Sequence, residues 1–486
     1  MSKLRNNMIY QSVYQVLAVC VPLITSPYLS RVLGAEGLGI YSYYHSIVNY
    51  FILFALLGVT TYGMRAIAQS NGKEEVSKTF FSVYYFQLIS SFATLFVYIL
   101  FVVLFIKDGV GRVVSWIHIF YLLGECVNIN WLFFGLEKYK TTVIRNIIIK
   151  ILTVASIFLF VRQKDDVVIY ILVLSLGVFV SNAVLWFKLG DCLMRVKVTW
   201  ADVKQHIKPN VLLFIPALAS SVYHIMDKTM LGMFSDIENS GYYYNADKLL
   251  NIPLTVIVGC SNVFMSRVCA LVSQNKTDEV RKTQNEAANM GMCIIAAIAF
   301  GVCAVAKEFV PWFFGAGYDP CISLIKYFAL IVILKTISTN TRSVFLIPEG
   351  NDKSYAKSIT YGALINLVAN YVLIATLDMG ALGATLATLI AEFMVVVFQI
   401  VFMQKASRKI CVNQLMKSMI YLVFGVVMMV VVWLIPLNFS GLFVKIVIEI
   451  AIGAVVYLTQ CIILWRLRPS YLPDMIGDIL KKFKLV

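Results

Sequence analysis

The sequence predicts an all-α polytopic membrane protein of fourteen spans. Three observations carry this. Hydrophobic residues make up 60% of the chain and charged residues only 14%, well under the roughly 25% of a soluble domain. Apolar stretches long enough to cross a bilayer, about twenty residues each, follow one another with little sequence between them. Lys and Arg concentrate in alternate connections. Backbone groups in lipid must be satisfied within the segment, so such runs read as helices; a strand barrel would show short alternating segments.

The first span, 8–30, follows Lys3 and Arg5 in the manner of a signal peptide, but no small-x-small cleavage site comes after it. In Leu17-Ala-Val19-Cys20 the Val19 side chain is too large for the position before a lipoprotein cysteine. Gly34-Ala-Glu-Gly37-Leu-Gly39 then punctuates the chain before span two, 38–62. No strand precedes these glycines, so they mark a turn and not a phosphate cradle. Spans three to six are 80–106, 113–135, 142–161 and 167–187, and a polar segment follows near 188–208. Spans seven and eight, 209–233 and 241–265, lead to a second polar segment near 266–285. Then come 286–306, 322–347, 355–377, 380–403, 414–436 and 441–465. In the tail 469–486, Leu472, Met475, Ile476, Ile479, Leu480 and Phe483 share a helical face, with Lys481, Lys482 and Lys484 elsewhere. That pattern predicts an interfacial helix.

The net charge of +15 sets the orientation. With the N-terminus inside, 29 of the 41 Lys and Arg fall in inside segments or at the inside ends of spans, six in outside segments and six elsewhere within spans. This obeys the positive-inside rule, and one missed span would scramble it downstream. Both termini are therefore expected in the cytoplasm. The basic balance reflects topology and contact with anionic membrane lipids; it does not call for nucleic acid.

Several chemistries are missing. No G-x-x-x-x-G-K-[ST] loop is present, so the chain carries no ATPase of its own. The four histidines, His45, His118, His206 and His224, are scattered, and no His-Glu-x-x-His occurs. The ten cysteines lack C-x-x-C spacing and read as small buried hydrophobes. Neither a metal nor a cofactor is expected. Outer loops are too short for the acceptor domain of a membrane glycosyltransferase. The chain reads as a transporter and not an enzyme.

A repeat at an offset of about 200 residues is visible. Pro22, Leu33-Gly34 and Gly39-Ile-Tyr41 recur as Pro216, Leu231-Gly232 and Gly241-Tyr242; Gly135-x-x-Lys138-Tyr139 recurs as Gly350-x-x-Lys353-x-Tyr355. Parallel repeats of six spans are a common transporter plan, with the substrate site between the halves. The expected organisation is a first lobe at 1–200 (spans one to six), a second at 201–406 (seven to twelve), and two extra spans with the tail at 407–486.

Pro27-Tyr-Leu-Ser-Arg31-Val-Leu-Gly34, followed by Glu36-Gly37-x-Gly39-x-Tyr41, resembles the opening of bacterial polysaccharide flippases of the Wzx type. Tyr62-Gly63-x-Arg65 and Trp131-x-x-x-Gly135-x-x-Lys138-Tyr139 fit the same pattern. So do Asp227-Lys-Thr-Met-Leu-Gly232, Gly241-Tyr-Tyr243, Ile347-Pro348-x-Gly350-x-x-Lys353, the pair Asn366 and Asn370, and Gly380-Ala-x-Gly383-Ala384-x-x-Ala387-Thr388-x-x-Ala391-Glu392. The likeness covers nearly the whole chain. Met265-Ser-Arg267 departs from it, since the family often has a proline before that arginine, and this puts a kink there in doubt.

The resemblance implies the multidrug/oligosaccharidyl-lipid/polysaccharide (MOP) exporter superfamily, with two lobes around a central cavity. The lipid II flippase is a more distant relative of the same layout. It further implies a bacterial cytoplasmic (inner) membrane protein that turns an undecaprenyl-pyrophosphate-linked oligosaccharide to the outer leaflet by alternating access. Polysaccharide polymerase and assembly proteins are expected partners.

A charged residue within a span costs about 2.5–3.5 kcal/mol on insertion scales and is a functional candidate by default. Lys150, Lys335, Glu125 and Glu392 fall near mid-span; Asp227-Lys228 and Asp247-Lys248 lie nearer the outer face; Arg31, Arg65, Arg145 and Arg342 stand at helix ends, where they could simply snorkel. Lys150, Lys335, Arg31, Lys228, Lys248 and Arg342 are the candidates for pyrophosphate. Glu125, Asp227, Asp247 and Glu392 are the candidates for carrying H⁺ or Na⁺. Membrane potential, an ion gradient or both would drive export. Two alternatives stand beside this reading: a cation-coupled multidrug exporter of the same superfamily, for which acidic residues should dominate the cavity, and a membrane glycan polymerase or acyltransferase.

Overall fold

A computed structural model describes residues 2–435 and 441–473, and their side chains apart from those of 2–14, 215–217, 219, 220, 222 and 224. The expected interfacial helix at the tail falls, from residue 474 on, outside the described residues. Among the described residues, twelve helical stretches are long and apolar enough to cross a bilayer. The first, Gln15–Gln69, carries two spans, and Ile207–Phe234 brings the number to the expected fourteen. The chain forms two compact units, Met1–Gly241 and Tyr242–Val486.

In the first unit, α1 (Ser2–Leu56) holds span one and much of span two. The turn expected at Gly34 is there: α1 is two helical arms that meet at a kink on this glycine. Gly34 takes φ 68° and ψ −177°, open to glycine because it has no Cβ, and the helix resumes at once. Leu57 and Gly58, both at positive φ, separate α1 from α2 (Val59–Gln69). Next come α3 (Gly72–Phe105), α4 (Gly109–Cys126), α5 (Asn130–Gly135), α6 (Tyr139–Phe160), α7 (Val167–Val184), α8 (Trp200–Lys204) and α9 (Ile207–Phe234). Span four is thus two helices, α4 and α5, broken at 127–129. Helix α1 packs against α3, α4, α6 and α9, and α4 packs against α7.

The boundary between the units falls in the first turns of α10 (Ile237–Ser273). There α1 and the start of α10 touch through glycine. A Cβ on Gly39 would stand 2.0 Å from the Ile237 carbonyl oxygen, and one on Gly241 2.0 Å from that of Ala35. Small residues let membrane helices approach this closely.

The second unit continues with α11 (Thr277–Phe314), α12 (Pro320–Thr341), α13 (Asp352–Asn370), α14 (Gly380–Phe402), α15 (Lys405–Ser418), α16 (Ile420–Leu434) and α17 (Leu442–Leu467). Wide π-helical turns at Arg342–Leu346 and Tyr371–Thr376 extend α12 and α13. Helix α10 passes unbroken through Met265-Ser-Arg267. Helices α16 and α17 pack on each other and on α11, and α12 packs between α11 and α14.

Beside an apolar core, polar side chains are buried and large apolar ones face outward. Gln87, Ser91, Asn210, Asn366 and Asn370 are buried, while Phe96, Phe105, Leu212, Val263 and Leu434 are exposed. Lipid is as apolar as leucine, so packing and polar contacts, not water exclusion, hold such helices together.

Candidate functional site: charged and amide side chains at span depth

In the first unit, α9 carries Asp227 and Lys228 against α1. Asp227 is buried. Tyr50 of α1 lies close to Thr229 and Asp227, and Lys228 lies within electrostatic reach of His45. Lys150 sits partly buried midway along α6, which packs against α1 and α7. Arg31 is exposed, its guanidinium 3.5 Å from the Pro27 carbonyl. Glu125, in the last turn of α4, accepts a hydrogen bond from Asn128 Nδ2 at 2.7 Å.

That last contact belongs to a polar network around the break in span four. A broken helix leaves carbonyls that lipid cannot satisfy. Here Gln87 Nε2 donates to the carbonyls of Glu125, Cys126 and Asn128; Trp186 Nε1 donates to Val127, and Asn182 Nδ2 to Gly124. Asn130 Nδ2 bridges Asn128 and Asn182. Arg145, expected to snorkel at a helix end, is instead buried at 7% exposure. It donates to Asn130 Oδ1 at 2.9 Å, the Ser181 carbonyl at 2.8 Å and Asn146 Oδ1 at 2.5 Å. Its position on α6, facing α5 and α7, leaves it inside protein. Linear sequence shows the arginine but not that neighbours surround it.

In the second unit two candidates meet. Lys335 Nζ of α12 lies 3.8 Å from Glu392 Oε1 of α14, at 17% and 6% side-chain exposure. One turn along α12 and two along α14, Gln399 donates to Ser338 at 2.8 Å. Lys335 and Ser338 are three apart, and Glu392 and Gln399 seven, so both rungs fall on facing stripes. Asn340 accepts from Ser261 at 2.7 Å, and Tyr243 reaches Thr388 at 3.3 Å, which ties α10 to the same seam. Asp247 accepts from Asn251 at 2.7 Å, and Lys248 stands 5.2 Å over the Tyr244 ring. The Arg342 guanidinium lies 5.5 Å from the Tyr355 ring centre, in the π-helical turn. A third cluster had gone unseen in the sequence: Lys445 Nζ is 2.8 Å from Glu308 and 3.8 Å from Glu449. The i, i+4 pair within an apolar span was its one available signal.

The short connection before α9 is polar in another way. Thr199 and Asp202 form a capping box on α8, and Lys78 lies 2.9 Å from Asp202. The Lys78 ammonium and the Thr199 backbone hold this carboxyl well below the usual carboxylate range. His206 sits between Tyr62, 2.6 Å from Nδ1, and Ser82, 2.9 Å from Nε2. Burial lowers its pKa, with Asp202 opposing.

Comparison with known proteins gives concordant results. The family model described as "Polysaccharide biosynthesis protein" matches residues 4–264, and that described as "Lipid II flippase MurJ" matches 137–453. A protein of Escherichia coli (strain K12) named "Putative O-antigen transporter" is 22% identical over 414 residues, covering 84% of this chain and 98% of that protein. One of the same name from Shigella dysenteriae is 23% identical over 392 residues, covering 78% and 94%. Among solved structures, the lipid II flippase MurJ in an inward closed conformation superposes with a TM-score of 0.73 at 16% identity, covering 94% of this chain and 99% of that one. An inward-facing multidrug resistance MATE transporter of the MOP superfamily gives 0.60 at 13% identity, covering 87% and 98%. These two likenesses show the fold.

Proposed function

From the premise that this chain belongs to the polysaccharide biosynthesis protein family, as a Wzx-type flippase of the MOP superfamily, we propose that it carries undecaprenyl-pyrophosphate-linked oligosaccharide from the cytoplasmic to the outer leaflet. The observation that carries this reading is the pair of family matches, which together run from residue 4 to 453. Both termini are cytoplasmic in this reading, and spans one to six and seven to twelve form the two lobes.

The substrate has an apolar tail, a pyrophosphate and a polar sugar. The tail stays in lipid, and the headgroup needs polar side chains at span depth. Lysine suits phosphate as a point charge, and arginine adds a two-pronged fork. Lys150, Arg31 and Lys228 serve in the first unit, and Lys335, Lys248 and Arg342 in the second. The Lys335–Glu392 pair supports a coupling role. Arriving pyrophosphate competes with Glu392 for the ammonium, and a proton or sodium ion on Glu392 releases the lysine to it. Glu125, Asp227 and Asp247 are further carriers.

The test is reconstitution of the full chain in liposomes with a labelled lipid-linked oligosaccharide, scoring its leaflet over time. Transfer should appear with the chain and not in empty liposomes. Transfer of apolar cations but not of the lipid-linked sugar would overturn the reading.

A further inference from the structure

One cavity in the second unit is not used by the proposed function. It holds about 1000 Å³ and opens where α11 begins, α15 runs and α17 ends. Arg281, Asn285 and Asn289 line it from α11; Lys409, Asn413 and Lys417 line it from α15. Each set is spaced i, i+4, i+8, so each forms one stripe along its helix. Arg468 closes the third side. Among the described residues no carboxylate lines it, and none of these four cations has an ion-pair partner. The frame is held by hydrogen bonds: Asn285 Nδ2 to the Ser470 carbonyl at 3.2 Å, Gln414 Nε2 to the Arg281 carbonyl at 3.3 Å, and Tyr421 to the Tyr471 carbonyl at 2.9 Å. Two further groups in the wall are unsatisfied. Asn289 Oδ1 and Gln414 Oε1 are buried without a hydrogen-bond partner, in residues only 2% and 7% exposed. Buried acceptors left so are costly unless a ligand or water answers them.

We propose that this cavity binds a phosphate flanked by hydroxyls. The cations take the phosphate, and the amide oxygens of Asn289 and Gln414 accept from the hydroxyls. Two sources carry that chemistry: the headgroup of an anionic glycerophospholipid, and a soluble glycerol or sugar phosphate. Arg281, Lys409, Lys417 and Arg468 belong to the Lys- and Arg-rich set of connections that the sequence places inside. The cavity's assignment to the cytoplasmic leaflet rests on the proposed orientation, whereas anion binding does not, so the two fail separately.

The experiment measures thermal stability of the purified full chain in detergent against added ligand, from which affinity follows by mass action. Phosphatidylglycerol, phosphatidylcholine and glycerol 3-phosphate are the probes. Phosphatidylglycerol should stabilise and phosphatidylcholine should not. Stabilisation by glycerol 3-phosphate as well marks a soluble ligand; its failure beside a lipid response marks a headgroup site. Each of Arg281→Gln, Lys409→Gln, Lys417→Gln and Arg468→Gln should weaken binding about fivefold, as expected for one cation facing an anionic lipid. These side chains are exposed, so the fold should survive. Lys353→Gln and Lys357→Gln remove the same charge from exposed positions outside the cavity and should change nothing. Parental affinity in Lys409→Gln/Arg468→Gln, equal loss in the Lys353 and Lys357 variants, or no stabilisation by either phosphate probe would each overturn the proposal.

Discussion

A lysine in the middle of a span keeps its charge only if something answers it. For Lys335 that group is Glu392, 3.8 Å away, and removing either one takes an opposite charge from the other. A double-mutant cycle in thermal unfolding checks this. Lys335→Ala and Glu392→Ala should each destabilise, and together by about 1 kcal/mol less than their sum. Additive losses would mean the two do not interact. In the flipping assay Lys335→Arg should retain partial transfer and Lys335→Ala should not, at matched membrane abundance; Lys150 is tested in the same way. If both Lys→Ala variants transfer at the parental rate, these lysines are structural. His206 makes a second residue-scale prediction. Burial lowers its folded pKa below the ordinary 6.5, so the unfolded chain binds the proton first. The neutral ring's contribution is complete above pH 6.5 and fades as pH falls through the lowered value. Stability should drop as pH falls below about 6.5, and His206→Gln should flatten that drop. An unchanged profile in the variant would assign the acid sensitivity elsewhere.

At the scale of elements, span positions were legible because apolar length is a one-dimensional signal. The breaks were legible only in part. Gly34 announced a turn, and α1 does break there. The gap at 127–129 is stabilised by Gln87, Asn182 and Trp186, which are remote in sequence and meet it only after folding. The pairing of Lys335 with Glu392 was hidden for the same reason, although both residues stood out singly as charges in apolar runs. The Gly39–Gly241 contact yields an element-scale prediction. With only 2.0 Å between an added Cβ and the opposing carbonyl, Gly39→Ala must push α10 off α1. Overpacking of this kind costs about 1–3 kcal/mol. Gly259, which has open space around it, should accept alanine without loss. Equal melting temperatures for the two variants would show that the close approach is not maintained.

At the scale of the whole molecule, the proposed orientation and drive rest on the charge asymmetry of the chain and on the membrane potential. Cysteines introduced at Lys107 and Arg195, in a background freed of the native ten, should label from outside and inside respectively. Labelling of Arg195 from outside would invert the proposed orientation. Without a phosphate-cradling nucleotide loop, the pure chain should hydrolyse no ATP. In the proposed function the energy comes from the membrane itself, and the charge of the proposed substrate gives a sign to test. A pyrophosphate of about −2 leaving a negative interior gains about 2.3 kcal/mol per charge per 100 mV. At 60 mV that is about 3 kcal/mol, roughly a hundredfold in the leaflet ratio. In oriented liposomes a potassium diffusion potential, negative on the cytoplasmic face, should raise the ratio in the outer leaflet, and the reversed potential should lower it by a similar factor. A ratio indifferent to the sign of the potential would mean that the headgroup's charge is offset in transit. Potential-driven export would then be excluded, and an accompanying cation, carried on a carboxylate such as Glu392, would have to supply the drive.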